Sequence, residues 1–464
     1  MALVQNITSK IFLIIVSVAI SSLIIDISLS NISDITSVST SWGFAAFIVI
    51  AVVYIIGQYL ILKFVEQKSK RIRSKLPHFN KLGTIITVIQ YGLTAIIIFT
   101  LLQILVNSYY YTFLLNLGSS MSYATATTVM VILVLEFFSW YRSHRDFALL
   151  SYSISFIITC ISIVSSIIFF NIVLVDMPDK VTSVSQLEPV GEVGHSESEE
   201  EVGHGPDIRK FDSSTLSGKV QIVFVISRIL SYLSLWTSTA ILLHAHSGKL
   251  GKVKFWIIIG IPIASFISIF VIVTPFLQSL PHDNSDMDMT SRIIVDALGY
   301  TLPALASSVL FGAPFWIIAR NLRYGSIVKD YMIIAASGFA LFELTSSGSV
   351  ILASYPPLGL ASVSFVGLSS YLMLMGIYSS AVSISEDSRL RRAIRKFAMT
   401  ESKVLDSIGL AQMEQEVQKK VLSLAKEQEE KMVEETGIEM SLDEDDIKEY
   451  LQKVINEVKR SRHP

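Results

Sequence analysis

The chain has 464 residues, of which 51% are hydrophobic and only 16% charged, with a formal net charge of −2. Soluble proteins carry about 25% Asp, Glu, Lys and Arg, and the mean hydropathy of +0.56 arises from apolar runs long enough to cross a bilayer. This composition excludes a soluble multidomain enzyme, and the near-neutral charge gives no basis for nucleic-acid binding.

The apolar runs predict an all-α, polytopic helical membrane protein with about ten spans. They cover roughly 11–29, 42–64, 82–106, 121–140, 147–175, 220–245, 254–278, 292–319, 331–350 and 358–384. The first span reads as a retained helix, because no A-x-A-like cleavage site follows it. Charge divides the chain in two: 33 of its 76 charged residues fall in the last 79 positions. The expected domains are therefore a transmembrane unit, 1–385, and a polar tail, 386–464. The one cysteine, Cys160, lies within an apolar run and leaves no intrachain disulfide.

Lys and Arg in the short loops set the expected orientation. Lys68, Lys70, Arg71, Arg73 and Lys75 follow span 2, and Arg142 and Arg145 lie between spans 4 and 5. Lys249, Lys252 and Lys254 separate spans 6 and 7, and Arg320, Arg323 and Lys329 border the next turn on that side. The opposite loops, 30–41, 107–120, 279–290 and 351–357, contain neither residue. The basic side is thus expected to be cytoplasmic and to hold both termini. The acidic loop 176–219 is then external, with too few apolar side chains to fold. Its repeated Glu-Val-Gly-His unit contributes His195 and His204, which are weak metal candidates because a flexible loop preforms no site.

Spans 1–5 contain no proline, whereas in the second half of the chain Pro262 and Pro275 interrupt span 7 and Pro303 and Pro314 interrupt span 8. Span 8 also carries Ala304, Ser308 and Gly312 at four-residue spacing, a stripe that allows two helices to approach closely. Ionisable groups inside a bilayer are costly and are functional candidates. Counted from the span ends, Arg228 and Glu343 lie at comparable depth in the outer leaflet, with Asp296 and Asp26 nearer the rim. These four residues form a candidate pocket for a ligand or ion. An Arg228–Glu343 pair that is purely structural is the competing reading.

In the tail, Arg389, Arg391, Arg392, Arg395 and Lys396 form a basic cluster directly under the last span. It suits anionic headgroups and equally a topology anchor. Leu410, Met413, Val417, Val421 and Leu424 then predict one amphipathic helix, stopped at Gly437. Ser441-Leu-Asp-Glu444 reads as a capping box for a second, with Ile447, Tyr450, Leu451, Val454 and Val458 on one face. A cytoplasmic helical hairpin results, whose apolar faces pack on each other, on a protein partner or on a second copy.

No Walker A loop, Gly-x-Ser-x-Gly, His-Glu-x-x-His or dinucleotide fingerprint occurs, so no enzyme and no cofactor is expected. The runs Tyr355-Pro-Pro-Leu-Gly-Leu, Ser364-Phe-Val-Gly-Leu-Ser-Ser-Tyr and Ser385-Glu-Asp-Ser-Arg-Leu-Arg-Arg resemble the end of uncharacterised multi-pass membrane proteins of ammonia-oxidising archaea. The resemblance spans about forty residues. It implies an archaeal plasma membrane protein and carries no activity with it. The functional expectation is a sensor or scaffold acting through its tail. The alternative is a secondary transporter or channel built on the polar groups of spans 6–10.

Overall fold

Each of the ten expected spans contains a helix in the computed structural model, which describes residues 9–31, 40–73, 77–107, 110–175, 216–244, 251–268, 301–322, 327–347, 357–386 and 403–436. Among these residues there are eleven helices and no strand: α1 Ser9–Asn31, α2 Thr40–Arg73, α3 Pro77–Asn107, α4 Thr112–Ser143, α5 Phe147–Val175, α6 Leu216–His244, α7 Lys252–Ser268, α8 Leu302–Asn321, α9 Ile327–Ser346, α10 Leu360–Glu386 and α11 Lys403–Thr436. Eight of them, α1–α6, α8 and α10, are long and apolar enough to cross a membrane. Of the other three, α11 belongs to the charged tail, and the remaining two have local causes. α7 is described over 17 residues, and α9 carries Lys329, Asp330 and Glu343.

Several boundaries differ from the sequence expectation. The basic run after span 2 is not a loop, because α2 continues as helix to Arg73. Lys and Arg are good helix formers and extend the helix beyond its apolar stretch. α4 begins at Thr112, about two turns before its most apolar section. Residues 216–219 of the expected outer loop already belong to α6, and the rest of that loop lies outside the described residues.

Tertiary contacts establish an up-and-down bundle. At the basic end, Lys68 of α2 pairs with Asp330 of α9 at 2.7 Å, and Ser9 of α1 donates to the same carboxylate at 2.5 Å. At the opposite end, Ser28 of α1 meets Thr301 before α8 at 3.0 Å, and Asn171 of α5 donates to Ser120 of α4 at 3.2 Å.

The centre of the bundle is α10. Its apolar, small and hydroxyl residues surround the whole helix, and every residue from 360 to 382 is buried inside the protein. A helix with no polar face is one that contacts protein or lipid on every side. Here the contacts are protein: α4, α9, α2, α3, α1 and α11 enclose it. Ser122 of α4 donates to the Val363 carbonyl at 2.6 Å, and Phe79 of α3 stacks on Tyr378 at 4.1 Å. α9 packs against α10 so closely that a Cβ at Gly338 would lie 2.9 Å from the Leu372 carbonyl carbon, and one at Gly376 would lie 2.7 Å from the Ala335 Cα.

The small stripe of span 8 serves the same purpose on the other side of α9. A Cβ at Gly312 would come within 2.9 Å of the Ala336 carbonyl oxygen, so the stripe is helix packing. α5 and α6 meet along hydroxyls: Ser151 and Ser155 lie 2.6 and 2.8 Å from Ser238, and Thr159 lies 2.9 Å from Ser231. Large apolar side chains such as Ile14, Val49, Val88, Leu135 and Ile226 point outward. That surface would be a liability in water and fits a bilayer. The chain is a multi-pass helical membrane protein.

Candidate functional site

The end of the bundle opposite the basic residues holds three of the charges that the sequence singles out, Asp26, Arg228 and Glu343. Entry into α10 requires a turn at Gly359, whose φ of +86° favours glycine. The first N–H groups of a helix have no partner within it. Asp26 of α1 supplies one from outside. It accepts from the Gly359 N–H at 2.8 Å, the Ser362 N–H at 3.0 Å and the Ser362 hydroxyl at 2.6 Å. The residue is fully buried, and its carboxyl oxygens sit at the positive end of the α10 dipole. Asp26, expected in a pocket, is therefore a tertiary cap on the central helix.

Arg228 occupies the complementary position on the other central helix. From α6 it donates to the hydroxyls of Ser346 and Ser347, at 2.9 and 3.4 Å, where α9 ends. Both hydroxyls in turn donate to the Glu343 carbonyl at 3.0 Å. A cation at a helix C-terminus is favoured by the dipole. Arg228 and Glu343 do lie within electrostatic reach. They are not joined as an ion pair, since the ion pair among the described residues is Lys68–Asp330. The Glu343 carboxylate is nine-tenths buried and accepts no hydrogen bond from a described side chain.

Two tyrosines flank this pair. Tyr123 of α4 feels the Arg228 charge, and Tyr232 of α6 feels that of Glu343. Tyr232 donates to the Pro262 carbonyl at 3.0 Å and receives the Ser307 hydroxyl of α8 at 3.4 Å. Pro262 has no N–H and interrupts the α7 ladder. The polar set thus draws on α4, α6, α7, α8 and α9. Tyr123, Tyr232, Ser346 and Ser347 were not singled out in the sequence. Tyrosine and serine are common in spans, and only the Arg228 neighbourhood distinguishes these.

This arrangement changes what mutation should do. Arg228→Ala removes one well-formed charge-assisted bond, worth about 1.5–3 kcal/mol, and a long, weak one at 3.4 Å, but leaves Ser346 and Ser347 bonded to the Glu343 carbonyl. Arg228→Ala is expected to cost about 2 kcal/mol in detergent unfolding, less than breaking a buried ion pair. Arg228→Met with Glu343→Leu should be more stable than either Arg228→Ala or Glu343→Ala. Equal stability of all four proteins would show that the two charges do not interact.

The remaining candidates, Asp296, His195, His204 and the cluster Arg389, Arg391, Arg392, Arg395 and Lys396, lie outside the described residues. So does the second helix of the expected tail hairpin.

Its first helix is α11, described to Thr436, one residue before Gly437. It docks on the bundle through its first turns, a contact that the sequence reading did not anticipate. Ser407, Ile408, Gly409, Ala411 and Gln412 are buried, whereas Val417 and Leu424 are exposed. Small residues let α11 approach α10, and a Cβ at Gly409 would lie 3.1 Å from the Ile384 Cβ. The contact is otherwise polar. Trp140 donates to Gln412 at 3.0 Å, Ser143 to Glu414 at 2.9 Å, Ser385 to Glu416 at 3.1 Å and Ser407 to Asp146 at 2.8 Å. The periodicity of the stripe identified the helix but not its docking face, because glycine, serine and glutamine carry no hydrophobic signal.

Compared with protein-family models, curated proteins and solved structures, the chain matches none.

Proposed function

We propose that the chain is a membrane sensor or scaffold whose tail helix reports the state of a polar site at the far end of the bundle. The observation that supports this most directly is the position of α10. It is enclosed by protein along its length, closely apposed to the Glu343-bearing helix α9, and in contact with α11 at its other end. A change in how Arg228 and Glu343 hold the end of α9 has a packed route to the tail, since packed helices move as units. The site suits a polar or zwitterionic ligand. Arg228 supplies donors, and the Glu343 carboxylate has acceptor positions to offer. In this reading the basic end is cytoplasmic and the membrane is the archaeal plasma membrane, as the resemblance of residues 355–392 implies.

Coupling between two sites needs a measurement, not merely a route. A spin label at Lys420→Cys in a Cys160→Ser background reports the mobility of α11. Gly409→Leu is the positive control, because its side chain collides with Ile384 and should free the helix. Arg228→Ala should raise mobility in the same direction. If Gly409→Leu mobilises the label and Arg228→Ala, folded by size exclusion, leaves it unchanged, the relay reading is wrong.

A secondary transporter or channel is the competing reading, favoured by the proline break in α7 and the Tyr232 hydroxyl bonded at Pro262. Under it, proteoliposomes of the chain ending at residue 396 should retain ion flux.

A further inference from the structure

α7 has two faces of different character. Ile259 and Pro262 are buried against the bundle. The outward face carries two adjacent rows at four-residue spacing, Lys252–Trp256–Gly260–Ala264 and Val253–Ile257–Ile261, which border a shallow, wide-open groove of about 520 Å³ formed by this helix alone. Trp256 is 68% exposed, and a Cβ at Gly260 would meet nothing within 4 Å, so the groove floor is open. Its chemistry is graded along its length. A lysine stands at the mouth, a tryptophan one turn in, and then only small and aliphatic residues follow. Lysine and tryptophan are the residues that mark a membrane–water interface. From Lys252 to Ala264 is twelve residues, or about 18 Å of helix, close to a headgroup plus half of a hydrocarbon core of about 30 Å.

We propose that this groove binds one anionic phospholipid from the leaflet at the basic end, with its phosphate at Lys252, its glycerol region beside Trp256 and an acyl chain along Gly260 and Ala264. The length of the groove matches one leaflet, and its cation sits at the depth of the phosphate. Charge disfavours the other occupant, a second copy of the chain. A two-fold axis along the membrane normal through the groove would bring the Lys252 side chains of the two copies together, and like charges repel.

The test uses the full-length chain in phosphatidylcholine vesicles containing a minor fraction of brominated phosphatidylglycerol or brominated phosphatidylcholine. The Trp256 signal is the fluorescence difference between the parent and Trp256→Phe. Brominated phosphatidylglycerol should quench it with about fivefold higher apparent affinity, as expected for one lysine contributing about 1 kcal/mol near an anionic surface. Lys252→Gln should abolish the preference, and Ala264→Trp, which fills the groove, should weaken quenching by both lipids. Equal quenching by the two lipids in the parent overturns the proposal. So does a dimer in which a Trp256→Cys cross-link forms in a Cys160→Ser background and Trp256 is shielded from both lipids. If Ala264→Trp does not fold, the Lys252→Gln result decides alone.

Discussion

Asp26→Ala is expected to destabilise the folded chain by about 3–5 kcal/mol, among the largest effects of any single polar substitution in it. The change removes the acceptor for two backbone N–H groups and one hydroxyl at a site with no exposure. Each buried donor left without a partner costs about 1–3 kcal/mol, and more where the lost partner was charged. Water cannot readily replace the carboxylate in a site enclosed by α1 and α10. Asp26→Asn should fall between, because one amide oxygen still accepts while the amide NH₂ faces a donor. Thermal unfolding in detergent, compared with Ser21→Ala at an exposed position of the same helix, would measure it. A loss below about 0.5 kcal/mol, the range of ordinary surface changes, would show that the cap does not hold α10.

Gly376→Val should prevent the bundle from assembling. The added side chain would start 2.7 Å from the Cα and Cβ of Ala335, and those atoms belong to the backbone and first side-chain carbon of a helix that cannot rotate away. Overpacking costs about 1–3 kcal/mol where neighbours can shift, and more where they cannot. The expected outcome is a collapse in the yield of monodisperse protein on size exclusion. Gly92→Val is the control, because a Cβ there meets only the Met121 methyl at 3.5 Å. Equal yields from the two variants would mean that α9 and α10 are not in close contact.

The helices themselves were legible, since apolar runs of span length need no tertiary information. Lys and Arg placement likewise ordered the ends of the bundle, and the contacts Lys68–Asp330 and Ser28–Thr301 agree with that alternation. The burial of α10 was not read from the sequence. Its serines at 362, 364, 369, 370, 379 and 380, all buried, were a signal, because a lipid-facing helix gains nothing from hydroxyls on every side. Depth counting brought Arg228 and Glu343 to the same level but could not supply their azimuth around the helix, so it suggested an ion pair where the guanidinium instead meets the hydroxyls of Ser346 and Ser347. Asp26 was read as a pocket residue for the same reason. Its partner is the backbone of a segment more than three hundred residues away, and backbone donors leave no trace in a sequence pattern.

The helix enclosed by its neighbours also follows α1 to α9 in the chain. Translation delivers α1 to α9 before α10 exists, so the faces of α4, α2 and α3 that will receive it must wait against lipid or against one another. Ser122 lacks the Val363 carbonyl during that interval, and Asp26 lacks the amides it will cap. Insertion of α10 therefore completes a vacant cleft rather than adding to an edge. Assembly of the core is held back until α10 has been made, and the tail helix that docks on its end emerges only after that step.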